Sequence, residues 1–396
     1  MSCKCIAAMS GGAPLSLHTI ERRAVGNKDV KITIKYAGIC HSDIHQAREE
    51  WGKGLFPMVP GHEIAGEVEA VGKDVTKFKV GDKVGVGCMV DSCRDCSSCK
   101  AGDEQYCATG AVMTYNGKSK YKHCEEYNED GGAPTYGGYS QCVVVDENYI
   151  CKIPDGMDMA GAAPLLCAGI TVYSPMMYFG GSVRVSERRT GGDRSSGSIR
   201  GPLRTSRDER PSVGGGGLKP GMKMAVAGLG GLGAMAVLIG KAMGAEVTVL
   251  SRSESKRDEA LKELKADNFV ITSNEAEVAA ASGKFEFILN TISALYEPQL
   301  YLGMLAKHGK MVLVGAPAEP MSLQAFQLIP GRKTISGSLI GGIRETQEML
   351  DFCAKHGITC PHELIPADPA KVNEAYERAV KSDVKYRFVI DTSTFA

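Results

Sequence analysis

The sequence predicts two domains of different class: a β domain followed by a doubly wound α/β domain. Three observations carry this. A chain of 396 residues exceeds what one hydrophobic core usually organises. The first 155 or so residues read as short strands joined by loops. Beyond Gly221 strand-like and helix-like segments alternate, the pattern of a parallel sheet covered on both faces.

Residues 30–37 (VKITIKYA) alternate apolar and polar positions, as a half-buried strand does. Residues 61–71 (GHEIAGEVEAV) keep the same period of two, and Gly81-Asp82 leads into another short strand. Val143, Val144 and Val145 follow a glycine-rich turn, and together these segments predict a small, curled β domain. In the second part, residues 223–227 (KMAVA) form a buried strand and 233–243 a helix. A strand at 246–250, an amphipathic helix at 254–265 and strands at 285–290 and 310–314 follow. Helices near 344–356 and 369–380 and a strand around 386–391 close the chain.

Residues 181–217 belong to neither texture. They hold eight arginines, four acids and nine glycines, with no aromatic residue. Such a segment cannot bury enough apolar surface to offset its ordering entropy, so a disordered insertion or long loop is expected. An inert excursion is favoured over a basic docking arm, because the segment interrupts an otherwise regular run between Gly180 and Leu218.

Forty-six basic residues balance forty-six acidic ones, which gives no global reason to expect nucleic acid or an anionic membrane as partner. No run of eighteen apolar residues occurs and the first residues do not read as a signal peptide, so the expectation is a cytoplasmic protein. Of fourteen cysteines, most are scattered singly and four are clustered, which favours thiolates holding metal over disulfides.

The cluster is Cys93, Cys96, Cys99 and Cys107. One tight loop at this spacing presents four sulfurs to a tetrahedral ion, and a closed thiolate shell is a structural zinc site. Zinc is favoured over an iron–sulfur cluster or unbound thiols. Three further metal-ligating residues, Cys40, His62 and Cys167, are far apart in the chain. Spacing by itself leaves open both a shared metal and buried cysteines with a core histidine.

Gly228-Leu229-Gly230-Gly231-Leu232-Gly233 directly follows the 223–227 strand and enters a helix. Glycines there permit a tight turn and close approach of a pyrophosphate to amides at the helix start. An acid at the end of the next strand would bind the ribose hydroxyls of NAD. Instead Leu250 is followed by Ser251, Arg252 and Ser253, then Lys256, with Glu254 the one countervailing charge. Hydroxyls and cations receive a 2′-phosphate, so NADP(H) is the expected cofactor.

Read in order, GHEIAGEVEAVG (61–72), VGDKV (80–84), the four-cysteine cluster and the glycine turn resemble the zinc-containing medium-chain alcohol dehydrogenases. CHSDIHQAREEWG (40–52), FPMVPGHE (56–63), YGGYS (136–140) and PLLCAGITVYSPM (164–176) are similar to the cinnamyl-alcohol-dehydrogenase subfamily. The resemblance spans the chain apart from 181–217. It implies a GroES-like catalytic domain over 1–164, a Rossmann NADP-binding domain over 165–337, and a C-terminal segment, 338–396, that completes the catalytic domain. The active site is expected in the cleft between them.

The resemblance also implies roles. Cys40, His62 and Cys167 would hold a catalytic zinc with one position open, with Glu63 behind the metal. Asp43 would accept a hydrogen bond from the free ring nitrogen of His62. Ser42 would receive the alcohol proton and pass it through the nicotinamide ribose to His45. Thr171 would line the cofactor wall. Thr291 and Ile292 would lie near a ribose, and Val314, Gly315, Ala316, Ser338, Leu339 and Ile340 at the nicotinamide edge. Trp51 and Leu55 would line an apolar substrate slot. A homodimer would form through the edge strand around 332–340. The implied reaction interconverts primary alcohols and aldehydes; a polyol dehydrogenase of mannitol type and a silent NADPH-binding interaction protein are the alternatives.

Overall fold

The computed structural model describes residues 1–121, 123, 132–180, 217–317, 319–381 and 383–395. Residues 181–216 of the arginine- and glycine-rich segment lie outside the described residues.

Six parallel strands form the second domain's sheet, in the spatial order Asn268–Ile271, Glu246–Ser251, Lys223–Ala227, Phe285–Asn290, Leu305–Leu313, Thr334–Gly337. Numbered along the chain this is 3-2-1-4-5-6, the doubly wound dinucleotide-binding order. Its central strands are apolar at nearly every position because helices cover both faces: Met224, Ala225, Val226 and Ala227 have no exposed surface. Strand order reverses between Lys223–Ala227 and Phe285–Asn290, which opens a crevice at their carboxyl ends.

The first domain's sheet is mostly antiparallel and centres on Asp29–Ile39, which pairs with Ile64–Val71 and Cys142–Asp146 along its length. Beyond Ile64–Val71 come Lys83–Val86 and Cys151–Lys152. The C-terminal strand Arg387–Asp391 pairs antiparallel with the end of Asp29–Ile39, so the last residues of the chain join the first sheet. Helices Ile343–Lys355 and Pro369–Val380 lie close to the expected positions.

Two differences from the sequence reading are local. The amphipathic stretch at 254–265 is a 3₁₀ turn, Glu254–Lys256, followed by a π-helical turn, Glu259–Glu263. Pattern specifies which face is apolar but not the hydrogen-bond period, and a wider turn still buries Ala260. The strand Asn268–Ile271 escaped the sequence reading because four residues carry little periodicity. Among the described residues no single helix is long and apolar enough to cross a membrane.

Candidate active site and metal centres

Cys40 follows the strand Asp29–Ile39 and is the N-cap of helix His41–Ala47. Asp43, at the third position of that helix, accepts the Cys40 amide through Oδ2 at 2.8 Å, which fixes the entry of the chain. His62 follows Gly61, whose φ of +102° only glycine adopts readily. A Cβ at Gly61 would also lie 2.7 Å from the Tyr139 ring. Cys167 is the N-cap of helix Ala168–Phe179, after a 3₁₀ turn over Ala163–Leu166.

These three elements converge. The ligand atoms of Cys40, His62, Glu63 and Cys167 all lie within 4.8 Å of one another, and all four residues are buried. The two sulfurs are 4.0 Å apart and His62 Nε2 is 3.2 Å from Cys167 Sγ. Two thiolates, an imidazole and a carboxylate behind them are a donor set suited to zinc with room for a further ligand. Both Glu63 carboxylate oxygens are buried and accept no hydrogen bond; the Arg387 guanidinium, 3.3 Å from Oε1, is the charge partner, and a carboxylate oxygen also lies within 4.8 Å of the other three donor atoms. Gly38 makes that possible, since a Cβ there would stand 2.0 Å from Glu63 Oε2.

Asp43 is the hub of the surrounding hydrogen bonds. Its Oδ1 accepts from His62 Nδ1 and from the Gly61 amide, both at 3.1 Å, and its Oδ2 also accepts from the Tyr139 hydroxyl at 3.1 Å. Arg387, from the C-terminal strand, completes the setting and was not anticipated from sequence. Its guanidinium stands 3.3 Å from Glu63 Oε1 and 3.8 Å from Cys40 Sγ. The same guanidinium lies 3.0 Å from where a Gly231 Cβ would be, so one side chain links the metal set to the glycine turn. Burial pushes the Glu63 carboxyl up to about 8 although Arg387 opposes the rise. The Cys40 thiol is held well below its usual range by the hydrogen bond from Cys167 and, against burial, by the Arg387 charge.

Ser42 and His45 occupy successive turns of the His41–Ala47 helix. Ser42 Oγ is 3.6 Å from Cys40 Sγ. His45 Nδ1 meets the Glu50 carboxylate, and its ring stacks on Trp51 at 4.7 Å. Glu50 is a second residue missed from sequence; its position five residues after a histidine was the only available signal. Trp51 is exposed, and the half-buried Leu55 donates its amide to Asn116 Oδ1 at 2.7 Å.

The second metal set is also assembled. Ligand atoms of Cys93, Cys96, Cys99 and Cys107 lie within 4.8 Å of one another around the short helix Ser97–Ala101. Main-chain amides of Cys93, Cys96 and Ala108 point at sulfurs of the same set at 3.3–3.5 Å, which stabilises thiolates.

At the glycine turn the residues divide the work. Gly228 has φ +91°. A Cβ at Gly233 would stand 2.2 Å from the Gly228 carbonyl oxygen, so its absence sets helix–strand packing; at Gly230 a Cβ would meet nothing within 4 Å. This leaves an open edge beside the start of helix Gly231–Ala242. Leu229 and Leu232 pack against the core nearby. Thr291 Oγ1 donates to Ala227 O at 2.9 Å, and the Val314 amide donates to the Asn290 carbonyl at 2.9 Å. A Cβ at Gly315 would collide with Ile292 O at 2.3 Å, so Thr291, Ile292, Val314 and Gly315 gather at the crevice, followed by the exposed Ala316.

Ser251 ends its strand, and its Oγ accepts the Ser253 amide at 3.2 Å. Arg252 is exposed beside them. Lys256 is engaged by Glu259 at 2.9 Å, whereas Glu254 is neutralised by Arg257 at 2.6 Å. Thr171 lies one turn beyond Cys167 and is buried, while Leu339 is exposed and Ile340 has φ +37°. The Leu339 amide donates to the Tyr106 hydroxyl at 3.0 Å, placing Ser338 and Leu339 against the four-cysteine region.

A cavity of about 670 Å³ lies elsewhere in the first domain, lined by Arg23, Asp29, Asp91, Arg94 and His123 among others. Among these, Arg23 pairs with Asp29 at 2.8 Å, and Asp91 pairs with Arg94 at 2.9 Å and His123 at 3.0 Å. It contains none of the donor atoms described above.

Residues 26–155 match the family described as alcohol dehydrogenase GroES-like domain, and residues 231–355 match zinc-binding dehydrogenase. The chain belongs to the zinc-binding medium-chain dehydrogenases, in the cinnamyl-alcohol-dehydrogenase-like group. This dehydrogenase is 51% identical to the probable formaldehyde dehydrogenase AdhA of Bacillus subtilis, over 95% of this chain and 93% of that one. It is 48% identical to NADP-dependent alcohol dehydrogenase C 1 of Mycolicibacterium smegmatis, over 98% and 97%. Among solved structures it resembles a cinnamyl alcohol dehydrogenase (SbCAD4) of Sorghum bicolor with a TM-score of 0.84 and 40% identity, over 100% of this chain and 99% of that one. The dehydrogenase is a zinc-type, NADP(H)-linked alcohol dehydrogenase or aldehyde reductase, with a GroES-like and a Rossmann-type domain.

Proposed function

We propose that the dehydrogenase interconverts primary alcohols and apolar aldehydes, of cinnamyl type or aliphatic, through the site around Cys40, His62 and Cys167. The observation that carries this is the convergence of three distant ligands and Glu63 within 4.8 Å, joined by Arg387 to the glycine turn. When bound, zinc supplies a Lewis acid for the carbonyl oxygen, and NADP(H) supplies or accepts the hydride. Cys40, His62 and Cys167 hold the ion, and Asp43 keeps the His62 proton on Nδ1 so that Nε2 is free to ligate. Cys93, Cys96, Cys99 and Cys107 hold the structural ion. Ser42 and His45 lie one helical turn apart and pass the alcohol proton outward, and Glu50 and Trp51 hold the His45 ring. Gly228–Gly233 receive the pyrophosphate, and Ser251, Arg252, Ser253 and Lys256 the 2′-phosphate. Thr171, Thr291, Ile292, Val314, Gly315, Ala316, Ser338, Leu339 and Ile340 line the remainder of the cofactor, with Trp51 and Leu55 in the substrate slot.

The domains divide at 1–164, 165–337 and 338–396 on this reading, and the enzyme is a cytoplasmic homodimer. The dimer is supported by the edge strand Thr334–Gly337 beside exposed apolar side chains, Phe326 at 80% and Ile329 at 66%. Aldehyde-dependent oxidation of NADPH, compared with NADH and repeated after chelation, tests the reading. Absence of turnover across aromatic and aliphatic aldehydes with zinc-loaded protein overturns it.

A further inference from the structure

Cys3 and Cys142 are 139 residues apart in sequence, and their sulfurs lie 3.4 Å from each other. Both are buried, and neither belongs to a metal set. Cys3 lies in the N-terminal strand Ser2–Ala7 and Cys142 begins the central-sheet strand Cys142–Asp146. The two segments run antiparallel, with Cys5 bridged to Ser140. The Ile6 amide donates to Tyr139 O at 2.8 Å and the Gln141 amide to Lys4 O at 3.1 Å. Continuing that register by two residues puts Cys3 directly opposite Cys142, at a position whose own amides do not join the ladder. Facing residues at such positions have Cα atoms about 4.5 Å apart, within the span of a disulfide.

The surroundings favour reaction at Cys3. The Arg22 guanidinium contacts the Cys3 sulfur. It is anchored by the Tyr136 carbonyl at 2.8 Å and the Ser140 hydroxyl at 2.9 Å. The hydrogen bond from Cys142, aided by Arg22 and opposed by burial, brings the Cys3 thiol down to about 6, while the Cys142 thiol is pushed up. One sulfur is therefore the nucleophile and its neighbour the resolving thiol.

We infer that Cys3 and Cys142 form a redox-modification site that a low-molecular-weight disulfide, such as oxidised glutathione, converts to an internal cross-link. The Cys3 thiolate attacks one sulfur of the oxidant and expels one glutathione thiolate. Cys142 loses its proton and attacks the Cys3 sulfur of the mixed disulfide, expelling the second glutathione. Two protein thiols are oxidised to one disulfide, the oxidant's disulfide is reduced to two thiols, and the protein's two protons end on them. Cys3 is only 1% exposed, so exchange follows opening of the N-terminal strand, the kind of segment that opens at low free energy. The cross-link staples the N-terminal strand to the ladder that holds Tyr139, whose hydroxyl reaches Asp43.

The test equilibrates the zinc-loaded full-length protein in glutathione buffers of increasing oxidised fraction, followed by acid quench, alkylation and peptide mass mapping. Lys4 separates Cys3 from Cys5 in a tryptic digest. The expected result is a Cys3–Cys142 linked peptide, loss of both thiols from alkylation, reversal by dithiothreitol and an upward shift of the melting midpoint. Cys3→Ser and Cys142→Ser should each abolish the linked peptide and the shift while retaining turnover per zinc. Equal alkylation of Cys3 and Cys142 in oxidised and reduced buffers, or a link from Cys3 to another cysteine, overturns the inference. The mapping on the unsubstituted chain decides the matter whether or not either variant folds.

Discussion

Asp43 Oδ1 lies 3.1 Å from His62 Nδ1, and this one contact determines which ring nitrogen is available to a metal. A histidine whose Nδ1–H donates a hydrogen bond to a buried carboxylate presents Nε2 as a ligand, oriented and made more basic. Asp43→Asn should therefore weaken zinc binding at the Cys40 set about 10- to 100-fold. Competition with a chelating dye measures this, and unchanged affinity would contradict the assigned tautomer.

The two donor sets differ in what encloses them. Cys93, Cys96 and Cys99 are half-buried around a short loop, whereas Cys40, His62, Glu63 and Cys167 are all buried. Cys167→Ser should lower zinc content from two ions per chain to one and abolish turnover, with the fold retained by circular dichroism. Elemental analysis of the purified variant provides the count. Two zinc ions still bound would show that Cys167 is not a ligand.

Cofactor choice rests on the exposed end of the Glu246–Ser251 strand. On the proposed assignment Lys256 shares its charge with Glu259 at 2.9 Å, so Arg252 carries the larger part of the 2′-phosphate contact. Arg252→Ala should cut kcat/KM for NADPH about 10- to 100-fold, the worth of one hydrogen bond to a charged group, and leave NADH nearly unchanged. Parallel losses with both cofactors would move the phosphate site elsewhere.

Arg387 and Glu63 form a buried pair at 3.3 Å. Glu63, already pushed up to about 8 by burial, loses its charge partner in Arg387→Met and takes up a proton, so the variant should be destabilised by at most about 3–5 kcal/mol, the loss growing as pH rises above the ordinary carboxylate range. Adding Glu63→Gln to that variant should recover part of the loss, because no carboxylate is then left unpaired. Equilibrium denaturation of both single variants and the double variant gives the coupling; strict additivity would mean that the pair does not interact.

Several features were legible because the chemistry is local in sequence. Cys93 to Cys107 fall within one loop, and Gly228 to Gly233 within one strand-to-helix turn, so spacing itself constrains their geometry. The strands at 223–227 and 285–290 were legible because a sheet buried on both faces demands uninterrupted apolar runs. The helical segment at 254–265 was legible, but not its 3₁₀ and π hydrogen-bond period, because a π turn and an α turn bury the same face.

By itself, the sequence determined the two textures, the four-sulfur loop, the glycine turn and the missing acid after Leu250, all of which follow from neighbours along the chain. Only the tertiary structure decided that Cys40, His62 and Cys167 share one centre, since no local rule relates sulfurs 127 residues apart. It likewise decided that Arg387, 347 residues from Cys40, turns back beside Glu63. That placement comes from the C-terminal strand pairing with Asp29–Ile39, and strand pairing is a choice made among distant segments by the burial it achieves.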